Sequence, residues 1–286
     1  MNNNVPVKQH YIPQFILKNF CFKNDLVNYF DVEENIFKIM STRDIFMVKN
    51  LYNDNTNHSL FPQKIEIDLS GFESEVAIII NKKFLKENSF KLSKEEDNKL
   101  KLFFALMSFR NINTKEQFAN YSEESKDFFL KYQTDLNFLD FWKRNLGYLV
   151  NCRSLDEVIK HKKIDEPIKV FMMRDVFNFS GKYFLLFEKR GLNSFVIGDC
   201  YPTEITGDNS IHLYSYYPIS PDRLILVVSN GVEFVPNGVL NLSKKDLKKP
   251  SNESIINVRK LYDINVNEIN EHIIKNSKII KEGICS

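Results

Sequence analysis

Tyr183-Phe184-Leu185-Leu186-Phe187, Ser194-Phe195-Val196-Ile197, Ile211 to Tyr217 and Arg223 to Val228 are the runs that decide the fold. They are short, aromatic and β-branched, and such side chains suit a pleated, half-buried surface. Turn chemistry separates them: Lys189-Arg190-Gly191-Leu192-Asn193, Gly207-Asp208-Asn209 and Pro218-Ile219-Ser220-Pro221-Asp222. Short connections of this kind predict antiparallel neighbours. On the N-terminal side the period changes. Ile65, Leu69, Phe72, Val76, Ile79 and Ile80 recur at helical spacing and predict a helix over 62–86. Gly71 weakens its middle by about 1 kcal/mol relative to Ala, or breaks it there. Ser93 followed by Glu96 is a capping-box pattern. It opens a helix that carries Leu100, Phe103, Phe104, Leu106 and Met107 inward as far as Arg110. Further helices are expected over 115–149, with a break, and over 154–162. Helical spacing returns from 243 and ends in a Lys-rich helix over 266–281. The expected fold class is α+β, with helices packed around one mainly antiparallel β-sheet.

Residues 1–7 read as a loose tail. A short helix is expected from His10 or Tyr11, with Pro13 in its first turn, where the missing N–H costs nothing. Phe15, Ile16, Asn19 and Phe20 would form its inner face, and Lys23-Asn24-Asp25 would end it. Leu26 to Val32 and Ile36 to Met40, joined by Glu33-Glu34-Asn35, predict a β-hairpin. Ser41 is placed to cap a short helix through Val48. The expected organisation is a single domain over 8–286: a helical half over 8–165, a sheet-rich half over 166–242 and C-terminal helices over 243–286.

Bulk composition sets aside several classes. A hydrophobic content of 43% with 25 Phe and 12 Tyr is enough to bury a large core, which excludes global disorder. A net charge of +2 argues against a dedicated polyphosphate-coating protein, though not against a local basic groove. Cys21, Cys152, Cys200 and Cys285 are far apart and make no Cys-x-x-Cys pair, so reduced thiols are the expected state. Met1-Asn2-Asn3-Asn4 has no apolar core of a signal peptide, and Val76-Ala77-Ile78-Ile79-Ile80 is far too short to span a membrane. A soluble cytoplasmic protein is expected. No Walker loop, Gly-x-Gly-x-x-Gly, Gly-x-Ser-x-Gly or His-Glu-x-x-His motif occurs. The basic clusters Lys82-Lys83-Lys86, Lys160-His161-Lys162-Lys163 and Lys244-Lys245 with Lys248-Lys249 lack interleaved aromatics and read as solvated faces.

Four blocks carry a family resemblance. They are His10-Tyr11-Ile12-Pro13 with Phe15, Leu17 and Phe20, then Glu66 with Gly71-Phe72-Glu73-Ser74. Phe103 to Arg110 follows, and last Phe195-Val196-Ile197-Gly198-Asp199-Cys200-Tyr201-Pro202 with Tyr217-Pro218-Ile219-Ser220-Pro221. In this order they resemble the domain-of-unknown-function family DUF4238 of prokaryotes and phages, over about residues 8–230. The chain has Gly198 where that family has Ser, and Arg110-Asn111-Ile112 where it often has Arg-x-Pro. The resemblance implies no activity. It selects which polar residues deserve weight.

Those residues are His10, Glu73, Arg110 and Asp199. His10 can be a metal ligand or general base, because its ordinary pKa of about 6.5 allows either form at neutral pH; equally, its ring can bond a backbone group and fix a helix start. Glu66 and Glu73 are seven apart, which places them on one helical stripe two turns apart. They can share a divalent cation or divide acid and base roles, or form a solvated helix edge beside Lys64 or Lys82. Arg110 either grips an anion bidentately or pairs structurally with Glu73 or Asp199. Asp199 ends a buried strand, where a carboxylate is held rigidly for metal binding or closes an Asx-turn. Cys200 as a thiol nucleophile with His10 or His212 as its base is opposed by the adjacent carboxylate, which raises a thiol pKa.

Two functions follow. One is a metal-dependent hydrolase of nuclease or phosphoester type, serving prokaryotic defence or mobile elements. In it Glu73 and Asp199 hold Mg²⁺ or Mn²⁺, His10 is ligand or base, and Arg110 neutralises an anionic substrate. The other is a non-catalytic module that binds a protein or nucleic acid, in which the same residues form a buried polar network. No membrane partner is expected under either.

Overall fold

The computed structural model describes residues 7–86, 92–111, 138–160, 183–189, 192–206, 212–228, 266–275 and 279–282. They fall into two units. One draws on Met1–Tyr11, Met47–Val76 and Asn98–Ser180, the other on Ile12–Phe46, Ala77–Asp97 and Gly181–Ser286. Residues 115–137 of the helices expected over 115–149, the end of the one over 154–162, the return of helix at 243–265, and the basic residues at 161–163 and 244–249 lie outside the described residues.

The first unit begins with β1 (Lys8–His10), which pairs antiparallel with β4 (Met47–Lys49), His10 opposite Met47. His10 therefore sits on a strand, and the helix expected through Val48 is replaced by β4. Phe46 at φ 52° and Asn50 at φ 54° bracket β4, and the left-handed region interrupts any helix. Beyond a loop comes α2 (Lys64–Ile79), whose Ile65, Leu69, Phe72 and Val76 are buried as the spacing predicts. Gly71 does not break it. The Arg153 guanidinium lies 3.4 Å from where a Cβ would stand, and its Nη1 reaches Glu75 at 3.3 Å. α3 (Lys94–Arg110) buries Leu100, Phe103, Phe104, Leu106 and Met107. α4 (Phe138–Cys152) buries Trp142, Leu146, Leu149 and Val150. α5 (Leu155–Lys160) starts at Ser154, whose Oγ accepts from the Glu157 N–H at 3.3 Å.

In the second unit α1 runs from Gln14 to Lys18. Pro13 precedes the first turn instead of occupying it, and its carbonyl accepts from the N–H groups of Ile16 at 3.0 Å and Leu17 at 3.2 Å. Ile16, Leu17 and Phe20 are buried, while Phe15 is half-buried. The predicted hairpin is present as β2 (Leu26–Asp31) and β3 (Ile36–Ser41). Its turn is closed by the Glu34 N–H donating to Asp31 Oδ1 at 3.0 Å and by Asn35 at φ 53°.

The expected helix over 266–281 is shorter than predicted. α6 spans Val266–Lys275, and Ile279–Glu282 form β10, which lies between β2 and β6 (Val196–Gly198) in the sheet β3-β2-β10-β6. Helical spacing of apolar residues hid a β-branched pair, Ile279-Ile280, that a sheet recruits more readily than a helix. A second sheet, β5-β9-β8-β7, is built from β5 (Tyr183–Glu188), β7 (Thr203–Thr206), β8 (His212–Ser220) and β9 (Arg223–Val228). The α+β class and the antiparallel pairing are as expected. Among the described residues, though, the strands divide between one pair and two four-stranded sheets instead of forming one sheet.

Polar side chains join these layers. Asn19 Nδ2 donates to the Ile219 carbonyl at 2.9 Å, tying α1 to β8. Asn270 on α6 donates to the Ser194 carbonyl at 2.8 Å and accepts from the Val196 N–H at 3.1 Å. Arg223 pairs with Glu188 at 3.1 Å and donates to the Phe84 carbonyl in the π-helical turn Ile80–Lys86.

The capping box at the start of α3 is reciprocal. The Ser93 N–H donates to Glu96 Oε2 at 2.7 Å, and the Glu96 N–H to Ser93 Oγ at 3.1 Å. Ser93→Ala is expected to lower the unfolding free energy by about 1 kcal/mol in a denaturant titration. An unchanged midpoint would mean that the cap contributes nothing.

Candidate functional site

Arg110 ends α3 and is only 3% exposed. A guanidinium taken out of water is costly unless its donors are filled, and here each nitrogen has a partner. Nε donates to the Tyr52 hydroxyl at 3.0 Å, Nη1 donates to Glu73 Oε1, and Nη2 donates to the His10 carbonyl. The Tyr52 hydroxyl in turn donates to the same His10 carbonyl at 3.2 Å, which closes a ring of bonds. The guanidinium carbon also lies 5.2 Å from the centroid of the Tyr52 ring. Burial opposes the charge of Arg110, but Tyr52, Glu73 and Glu66 outweigh it and hold the pKa above its ordinary value.

Tyr52 is positioned from two directions. Its N–H donates to Oε1 of the fully buried Gln9 at 2.6 Å, and Gln9 Nε2 donates to Asn53 Oδ1 at 3.0 Å. Its ring stacks on Trp142, with centroids 5.9 Å apart. Trp142 is itself anchored by its indole N–H, which donates to the Phe109 carbonyl at 3.0 Å. Strand β1, the Tyr52 loop, α2, α3 and α4 therefore meet around one cation. Burial pushes the Tyr52 pKa up, only partly offset by Arg110, so its hydroxyl stays protonated and can donate.

The two carboxylates of α2 have separate environments. Glu73 is engaged by Arg110, not by Lys64, which pairs with Asp68 at 2.5 Å. Glu66 is half-buried. Desolvation raises its pKa, Arg110 lowers it and Glu73 raises it, with a net result of about 7. At neutral pH Glu66 is thus divided between acid and carboxylate.

A family model described as "Protein of unknown function (DUF4238)" matches residues 8–282. The chain belongs to that family. No curated protein and no solved structure matches it. In this DUF4238 member three of the four residues singled out from the sequence, His10, Glu73 and Arg110, share the first unit and come together, His10 through its main-chain carbonyl. Asp199 belongs to the second unit, where it is buried directly after β6 and raises the pKa of Tyr29 on β2, behind burial and Asp31. Among the described residues no group of three or more His, Cys, Asp or Glu is arranged to hold a metal ion. Likewise, none of the described helices is long and apolar enough to cross a membrane.

Tyr52 and Gln9 escaped sequence reasoning. Tyr52 is one aromatic in the turn Asn50-Leu51-Tyr52-Asn53, and nothing in its spacing marks it.

Glu66 yields a pH test with a defined sign. Its carboxyl holds a proton more tightly folded, with a pKa of about 7, than unfolded, near the ordinary value of 4.5. The folded state then binds more protons between these values, so unfolding free energy falls as pH rises through that window, by on the order of 3 kcal/mol. Glu66→Gln should flatten this segment in denaturation curves taken at stepped pH. If the variant keeps the wild-type slope, another group is responsible.

Proposed function

We propose that this chain is a non-catalytic binding protein in which the Arg110 network is an internal brace. One observation carries this reading: every nitrogen of Arg110 is bonded within the protein, and the group is sealed from solvent. An arginine that recruits an anionic substrate needs a donor pair aimed at open space, and here one donor on each nitrogen goes to Tyr52, Glu73 or His10 while the group itself is buried. The near-neutral net charge of +2 favours a protein partner over a nucleic acid.

The phosphoester-hydrolase reading, with its link to defence or mobile elements, is favoured by a different observation. Glu66 has a pKa of about 7, partial solvent access and a second carboxylate on the same helix held in the Arg110 pair. Carboxyl groups whose environments differ in this way divide acid and base roles in hydrolases. Under that reading Glu66 would supply the proton.

The two readings part in one experiment. Purified protein is incubated with single- and double-stranded nucleic acids and a chromogenic phosphodiester, with Mg²⁺ or Mn²⁺. The binding-protein reading expects no turnover above a boiled control. Turnover that disappears in Glu66→Gln or Asp199→Ala, at unchanged melting temperature, would replace it with the hydrolase. The brace itself is tested by Arg110→Ala, which leaves Glu73 without its counter-charge and should cost about 3–5 kcal/mol of stability. A loss below about 1 kcal/mol would show that the network is dispensable.

A further inference from the structure

We draw no further inference here: the strongest candidate, the half-buried Glu66 carboxyl beside the Arg110–Glu73 pair on α2, belongs to the site already described and rests on its raised proton affinity alone.

Discussion

The first unit depends on one constraint: a guanidinium that cannot leave the interior must have its donors filled. Arg110 is always charged, and effective desolvation costs several kcal/mol per buried ion. The cost is offset only while Tyr52, Glu73 and the His10 carbonyl hold their places. These groups come from a loop, a helix and a strand that share no local sequence. The cation thus converts a packing problem into a geometric one. β1 must stop where its last carbonyl meets Arg110. Tyr52 must present its hydroxyl edge, which Gln9 and Trp142 secure. α2 must turn Glu73 inward. Arg110 also stands in the last turn of α3, where a cation complements the helix dipole.

From the same constraint comes the difference between two glutamates on one helix stripe. Glu73 takes the direct contact and gains a counter-charge. Glu66, two turns earlier, feels the same guanidinium only at longer range, while burial and the Glu73 charge push its proton affinity up. A seven-residue spacing therefore yields chemically unequal carboxyls because a single arginine has two terminal nitrogens, and the other terminal nitrogen is committed to the main chain. The inequality is local electrostatics, set by one cation and one patch of buried surface.

Much of the frame was legible because it is written in local patterns. The stripe Ile65, Leu69, Phe72, Val76, the Ser93–Glu96 box and the β2–β3 hairpin each declare themselves within a few residues. Legibility failed where structure is set by partners distant in the chain. β4 is three residues long and exists because β1 lies against it. Ile279-Ile280 keeps helical spacing with Ile269 and Ile273, so only the waiting edges of β2 and β6 reveal it as strand. Gly71 looked like a weak point since its neighbour Arg153 is invisible from sequence. For the site, residue types such as His10, Glu73 and Arg110 could be named, but roles could not. A histidine is noticed for its imidazole, and here its carbonyl is what the network uses. Tyr52 shows the converse, a side chain at the centre of the network with no pattern to announce it.

The sheet β3-β2-β10-β6 sets two of its edges apart in kind. β2 and β3 close through a short turn, so their pairing costs little loop entropy. β10 must be brought back across most of the chain before β6 can join, and long loops are penalised only logarithmically once other contacts hold them. The local hairpin is therefore available as a template before the distant strand arrives. Its inner edge is consumed by β10, which places the apolar Ile280 opposite Phe30. Its outer edge receives no such partner among the described residues. What remains exposed on β3 is thus the half of the hairpin that the order of the strands leaves over.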